Sequence, residues 1–215
     1  MSFKGEIEAK CPKGCEPFEA EVWSYVRGDQ DEALRNAVLA REFNMLLCPT
    51  CDTPFFPEAS YVYFEPPADI LAFVFPESYR EKEAYWREKM HADFAAMKQS
   101  LGAELGLDVE PELFFGIDDI GELLEREDWH RDERDVMEFI AKDLGLSLYR
   151  VKAGFARKNG IPASLPYSGK KAARSSVIEG LGKLLAANDR LTVFKDYLER
   201  LKSEKDLPPE SPAHA

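Results

Sequence analysis

Two short stretches, Cys11-Pro12-Lys13-Gly14-Cys15 and Cys48-Pro49-Thr50-Cys51, decide the reading of this chain. They hold its only four cysteines, with three residues inside the first pair, two inside the second and thirty-two between the pairs. Two close pairs far apart in sequence predict one tetrahedral zinc bound by Cys11, Cys15, Cys48 and Cys51. A short turn lets both sulfurs of a pair point at a common centre, about 2.3 Å from the metal. Proline after the first cysteine of each pair fixes φ and stiffens the turn. Gly14 tolerates a positive φ and absorbs the extra residue of the first pair. Buried free thiols, a disulfide or redox chemistry are the competing readings, and a tetrahedral four-sulfur set also suits iron. Four thiolates close the coordination shell, so the metal reads as structural, and no cysteine is left over as a nucleophile.

In these residues the chain resembles the CpXC domain family, named for paired Cys-Pro-x-Cys motifs. The resemblance runs over roughly residues 3–105: a strand into the first knuckle, an acidic helix, a second strand into the second knuckle, then an aromatic hairpin. It departs at the first pair, where one residue is inserted, and at Glu16 and Asp52, where many zinc knuckles have glycine. The resemblance implies a fold and brings no reaction with it.

Composition sets the frame. The chain has 215 residues, 45% hydrophobic and 32% charged, which fits an ordinary soluble globular protein of one or two domains. A formal net charge of −12 repels phosphate backbones and disfavours nucleic acid as a partner of the whole chain. The first residues, Met1-Ser2-Phe3-Lys4-Gly5, lack the apolar core of a signal peptide. The longest apolar run, Ile70 to Phe75, is strand-sized, so no membrane span is expected. Thiolates that persist as ligands point to the reducing cytoplasm.

Along the chain, Glu6 to Lys10 and Phe18 to Val26 read as strands flanking the first knuckle. Phe18, Ala20 and Val22 alternate with Glu19 and Glu21 in the two-residue period of a half-buried strand. Asp29 is expected to cap an acidic helix whose apolar face is Leu34, Val38 and Leu39. Phe43 to Leu47 is expected to run as a strand into the second knuckle. Tyr61 to Phe64 and Ile70 to Phe75 form a hairpin, the second strand apolar on both faces and therefore covered on both. The cover is expected from a helix within Glu77 to Leu105, striped by Trp86, Met90, Phe94, Met97, Leu101 and Leu105. Leu113 to Phe115 suggests a short extended segment. Two helices follow, one capped by Asp118 or Asp119 and one over Asp132 to Leu144. Two more are striped by Val177, Leu181, Leu184 and Leu185, and by Leu191, Phe194, Leu198 and Leu201, with a break at Asn188-Asp189.

Outside the cysteines the candidates are weaker. His91, His130 and His214 sit in three unrelated settings, with no His-Glu-x-x-His pattern. His130 stands among acids that would raise its pKa, which makes it the candidate for an enzyme site with a carboxylate between the two halves. The carboxylates between Glu112 and Asp143 lack an EF-hand loop and read as a solvated helical face. No glycine-rich phosphate loop is present. Residues 146–215 carry thirteen basic and seven acidic groups, a net +6, against −18 over residues 1–145. Arg150, Lys152, Arg157, Lys158, Lys170, Lys171 and Arg174 lie in a stretch without an acid, with turns expected at Asn159-Gly160 and Pro166 to Gly169. That stretch either binds an anion such as RNA, with Phe155 and Tyr167 for stacking, or docks on the acidic segment before it.

Together these readings give an α+β protein. A CpXC-like domain over 1–108 carries a zinc-ribbon-like antiparallel sheet with a helical insertion and a β-hairpin. A mostly helical region over 109–204 and a disordered tail over 205–215 complete it. The expected role is a non-enzymatic, zinc-stabilised interaction or adaptor protein of the cytoplasm, with one structural Zn2+ and a protein partner. Anion binding through 150–174 and an enzyme using His130 are the alternatives.

Overall fold

The structure, a computed structural model, describes residues 1–105, 109–204 and 206–210, the side chains of residues 100–105 excepted. It divides into two compact units, Met1–Glu125 and Arg126–Ala215.

In the first unit, β1 (Phe3–Ala9) and β2 (Phe18–Arg27) form an antiparallel hairpin with the first cysteine pair in its turn. The alternation read from the sequence holds: Val22 is buried while Glu19 and Glu21 are exposed. Helix α1 (Glu32–Leu39) is capped by Asp31, whose carboxylate accepts the Leu34 N–H at 3.2 Å, and not by Asp29. A turn in which Gln30 and Asp31 both donate to the Arg27 carbonyl delays the helix, and Asp29 pairs with the Arg27 guanidinium instead. The strand expected over Phe43 to Leu47 shrinks to β3 (Leu46–Leu47), paired with β4 (Pro54–Phe55). The physical reason is Asn44, which adopts φ +59 and breaks the extended backbone.

β5 (Tyr61–Glu65) and β6 (Ile70–Phe75) form the aromatic hairpin, followed by α2 (Glu83–Leu105), β7 (Glu112–Phe115) and α3 (Gly116–Asp143). The main sheet has the order β1-β2-β5-β6-β7. It is mixed, which corrects the antiparallel sheet expected: β2 pairs parallel with β5, and β6 parallel with β7. Parallel neighbours need a long crossover. Here α1 with the second cysteine hairpin supplies one and α2 the other.

All six β6 side chains are buried. Ile70, Ala72 and Val74 enter a core with Val38 of α1 and Ile120, Leu123 and Leu124 of α3. Leu71, Phe73 and Phe75 enter a second core with Met90 of α2, where Trp86, Phe94 and Met97 also pack. The strand is thus covered on both faces, as its composition predicts, and each large side chain so buried is worth about 1.5–3 kcal/mol. The side chains of Leu101 and Leu105 lie outside the described residues.

In the second unit the later turns of α3 contribute Met137 and Ala141 to a core shared with β8 (Ser147–Arg150), α4 (Ala153–Asn159), β9 (Ser164–Tyr167), α5 (Arg174–Ala187) and α6 (Thr192–Ser203). The two helices expected over 118–144 are one, because neither Gly nor Pro interrupts residues 122–144. Pro166 and Tyr167, expected in a turn, lie instead in the antiparallel β8–β9 pair. Their backbone packs so closely on α5 that a Cβ at Gly180 would overlap the Pro166 carbonyl. The α5 and α6 pair follows the sequence stripes, with Val177, Leu181, Leu184, Phe194 and Leu201 buried. Of the tail expected to be disordered, residues 206–210 are docked in this unit. The Tyr149 hydroxyl donates to the Pro208 carbonyl at 2.6 Å, Leu207 packs on the core and Glu210 bridges Val151. Residues 205 and 211–215 lie outside the description.

Candidate metal centre

The Sγ atoms of Cys11, Cys15, Cys48 and Cys51 lie within 4.8 Å of one another, and those of Cys11 and Cys51 are 3.7 Å apart. Four sulfurs about 2.3 Å from a tetrahedral centre stand about 3.8 Å apart, so this spacing fits one bound metal. It is far longer than the roughly 2.05 Å of a disulfide, and all four cysteines are free. Cys11 and Cys48, the first of each pair, are buried, while Cys15 and Cys51 are half-buried.

Each pair sits at the tip of a hairpin, so the strands aim both tips at one point. In the first, the Gly14 N–H donates to the Cys11 carbonyl at 3.0 Å, and the Lys13 N–H to the Cys11 sulfur at 3.4 Å. Gly14 has φ +76, the conformation its sequence position was expected to need. In the second, the Asp52 N–H donates to the Cys48 carbonyl at 2.9 Å and the Cys48 N–H to the Thr53 carbonyl at 3.0 Å. Asp52 takes φ +53 where many knuckles use glycine; a short polar side chain tolerates that conformation better than most.

Three residues that place the second tip were not picked out from the sequence. Asn44 accepts the Trp23 N–H through Oδ1 and donates through Nδ2 to the Trp23 carbonyl, both at 2.8 Å. Its amide thereby mimics one residue of a β-ladder and fastens the β3–β4 hairpin to β2. Phe55 meets Phe18 edge to face at 6.3 Å, joining the two hairpins beneath the sulfurs. Thr53 Oγ1 lies 3.2 Å from the Cys51 sulfur. A hydroxyl two residues beyond the last ligand, and an Asn just before the short apolar run Met45 to Leu47, were the available signals.

The thiols do not ionise alike. Hydrogen bonds from the Thr53 side chain and backbone favour the Cys51 thiolate and lower it to about 6. Cys15 is pushed up to about 12 by hydrogen bonds with Cys51 and Cys48 and by burial. Four thiolates in so small a volume repel one another, and a cation between them removes that repulsion.

The CpXC family model matches residues 9–135, from the last residue of β1 through both cysteine pairs and the strands β2, β5, β6 and β7 into α3. The chain belongs to the CpXC protein family. The match extends beyond the resemblance read from the sequence, which ended near residue 105, and takes in β7 and much of α3. Comparison with curated proteins and with solved structures returns no match.

The remaining candidates of this CpXC chain are dispersed. His91 and His130 are both exposed, and His214 lies outside the described residues. Burial raises the Glu133 carboxyl, one turn from His130. Of the basic stretch, Arg150 pairs with Glu138 at 2.9 Å and Arg157 with Glu127 at 3.3 Å, both acids of α3. Arg174 donates to the carbonyls of Leu201 and Lys202 at the end of α6. Lys170 and Lys171 are exposed in the turn after β9, and Lys152 and Lys158 lie at the two ends of α4. Among the described residues, no helix is long and apolar enough to cross a membrane.

Proposed function

We propose that this CpXC protein is a non-enzymatic interaction module of the reducing cytoplasm. One structural zinc stabilises its first unit, and its second unit docks a protein partner. Zinc suits four thiolates at tetrahedral spacing, and a filled shell gives it no open position for substrate. Metal analysis of the full chain tests this part. One zinc per chain is the expected result, and a coloured iron centre or no metal overturns it.

The observation that carries the docking role is an apolar stripe on the second unit's part of α3. Trp129 is 78% exposed, Phe139 is 68% exposed, and Val136 is exposed between them. At positions 129, 136 and 139 they fall on one side of a helix. Single exposed apolar residues are ordinary, but an exposed Trp and Phe on one helical face match the anchors that dominate interfaces. Affinity capture with wild type and with a Trp129→Asp/Phe139→Asp variant of unchanged melting temperature tests the reading. A protein lost from the variant that also binds the purified wild-type chain supports it; identical capture by both overturns it.

Anion binding is the second reading, favoured by the exposed Lys170 and Lys171. It requires affinity that falls steeply with salt and is abolished by charge reversal at these two positions.

A further inference from the structure

The four cysteines differ in ways that bear on their reaction with an oxidant. Cys11 and Cys48 are buried, whereas Cys15 and Cys51 are half-buried and within reach of solvent. Hydrogen bonds divide them a second time. Among the described residues, the Lys13 N–H donates to the Cys11 sulfur at 3.4 Å, and the Thr53 hydroxyl and backbone serve Cys51, the hydroxyl at 3.2 Å. The Cys15 sulfur meets only the other three cysteines. Cys15 is thus open to solvent and also without a donor from outside the cluster.

Around a metal all four ligands are thiolates, so the fraction ionised no longer ranks them. Intrinsic nucleophilicity does, and a hydrogen bond to a thiolate lowers it by holding its electron pairs. Of the two sulfurs an oxidant can reach, Cys51 is damped by Thr53 and Cys15 is not. Geometry sets the product. The four Sγ atoms lie within 4.8 Å of one another, and Cys15 hydrogen-bonds with Cys51 of the other hairpin. Contraction to about 2.05 Å closes a disulfide.

We propose that this centre is a peroxide-responsive latch, in which Cys15 is oxidised and Cys51 resolves it as a disulfide between the two hairpins. The proposal rests on the structural-metal reading given above. In the first step the Cys15 thiolate attacks a hydroperoxide. An S–O bond forms, the O–O bond breaks, and the departing alkoxide or hydroxide takes a proton from solvent. In the second, the Cys51 thiolate attacks the Cys15 sulfenic sulfur. An S–S bond forms, the S–O bond breaks, and hydroxide leaves to become water. The two sulfurs give up two electrons in all, and these reduce the hydroperoxide to an alcohol (or water) and water. Only Cys11 and Cys48 then remain as ligands, too few to retain the metal. The disulfide takes over as the tie between hairpins, so the oxidised first unit stays folded. A dithiol reduces the bond and restores the four-sulfur set.

Hydrogen peroxide added to the zinc-loaded full chain tests the latch. Released zinc is read with a chromogenic chelator, and disulfides are mapped by mass spectrometry of peptides. About one zinc released per Cys15–Cys51 disulfide is expected, with zinc binding regained after dithiothreitol and fresh metal. Dimedone, which traps sulfenic acids, should label Cys15 about threefold or more over Cys51 at early times. Thr53→Val keeps every ligand and should move label toward Cys51, shrinking that ratio by about threefold. Zinc retained under excess peroxide, a disulfide within either pair, or earlier label on Cys51 overturns the proposal. A ratio unchanged in Thr53→Val overturns the part given to its hydroxyl. A chain that takes up no zinc overturns the structural-metal reading and the latch together, whereas a loaded chain that keeps its zinc overturns the latch alone.

Discussion

The two cysteine pairs aim at one centre but rest on unequal supports. The first closes a hairpin whose strands pair from Ala9↔Phe18 back to Phe3↔Tyr25, and whose β2 strand continues into the main sheet. The second closes a hairpin with just two ladder pairs, Leu46↔Phe55 and Leu47↔Pro54, one of them through a proline. An isolated hairpin so short is not stable in water. The first tip is therefore held by the sheet, whereas the second needs the metal and a few side chains to hold it. The difference teaches what a metal held by the four sulfurs would do: it would pin the weaker arm to the stronger one.

The largest effect should come from removing the metal. Chelation, or Cys48→Ser, is expected to destabilise the first unit by more than about 4 kcal/mol, the range of losses that follow removal of a structural metal. Hydrogen exchange should localise it. The Cys48 and Asp52 amides, bonded to Thr53 and Cys48 carbonyls, should lose protection, while β1–β2 amides keep theirs. Equal loss of protection in both hairpins would break the comparison.

Next in size is Asn44→Ala. It removes both hydrogen bonds to Trp23 and puts alanine at φ +59. About 2 kcal/mol for two partly buried bonds and about 1 for the left-handed backbone predict a loss near 3 kcal/mol. Asn44→Gly separates the terms, since glycine accepts the backbone and lacks the amide. A melt showing Asn44→Gly as stable as wild type would mean that the clamp contributes nothing.

How much of this was legible in the sequence follows from the range of each signal. The cysteine cluster was legible because every ligand announces itself by residue type and spacing. The double covering of β6 was legible because six consecutive apolar residues leave no polar face. Strand order was not: nothing in Phe18 to Arg27 or Tyr61 to Glu65 tells whether they pair parallel or antiparallel. That is set by the path of the intervening α1 and β3–β4 segments. The single helix α3 was read as two, with a break between Leu124 and Asp132, although Glu125, Arg126, Glu127 and Arg131 in that interval are good helix formers. Asn44 was hidden because its role exists only opposite Trp23, twenty-one residues away.

Thr53→Val sharpens the contrast at the metal itself. Its hydroxyl supports one ligand, Cys51, and loss of such an outer hydrogen bond costs about tenfold or more in metal affinity. Competition against a chelator should show the weakening, while a melt at saturating metal moves little. The Cys11 sulfur instead receives a backbone N–H from Lys13, which no substitution short of proline removes. Unchanged affinity in Thr53→Val would mean that both tips bind through backbone geometry alone.

The smallest expected effect compares Gly14 and Asp52, a left-handed residue from each knuckle. At Gly14 an added Cβ meets nothing within 4 Å, so Gly14→Ala tests backbone conformation without steric clash. With φ +76 it should cost about 1 kcal/mol. The reverse change, Asp52→Gly at φ +53, relieves a similar strain but adds freedom to the unfolded chain, and the two offset to within about 0.5 kcal/mol. Paired thermal melts of the metal-loaded protein measure both. A large gain in Asp52→Gly would show that the second knuckle stores strain which the metal holds in place, and would deepen the asymmetry between the tips. A loss in that variant would instead make the Asp52 side chain itself a support of the weaker arm.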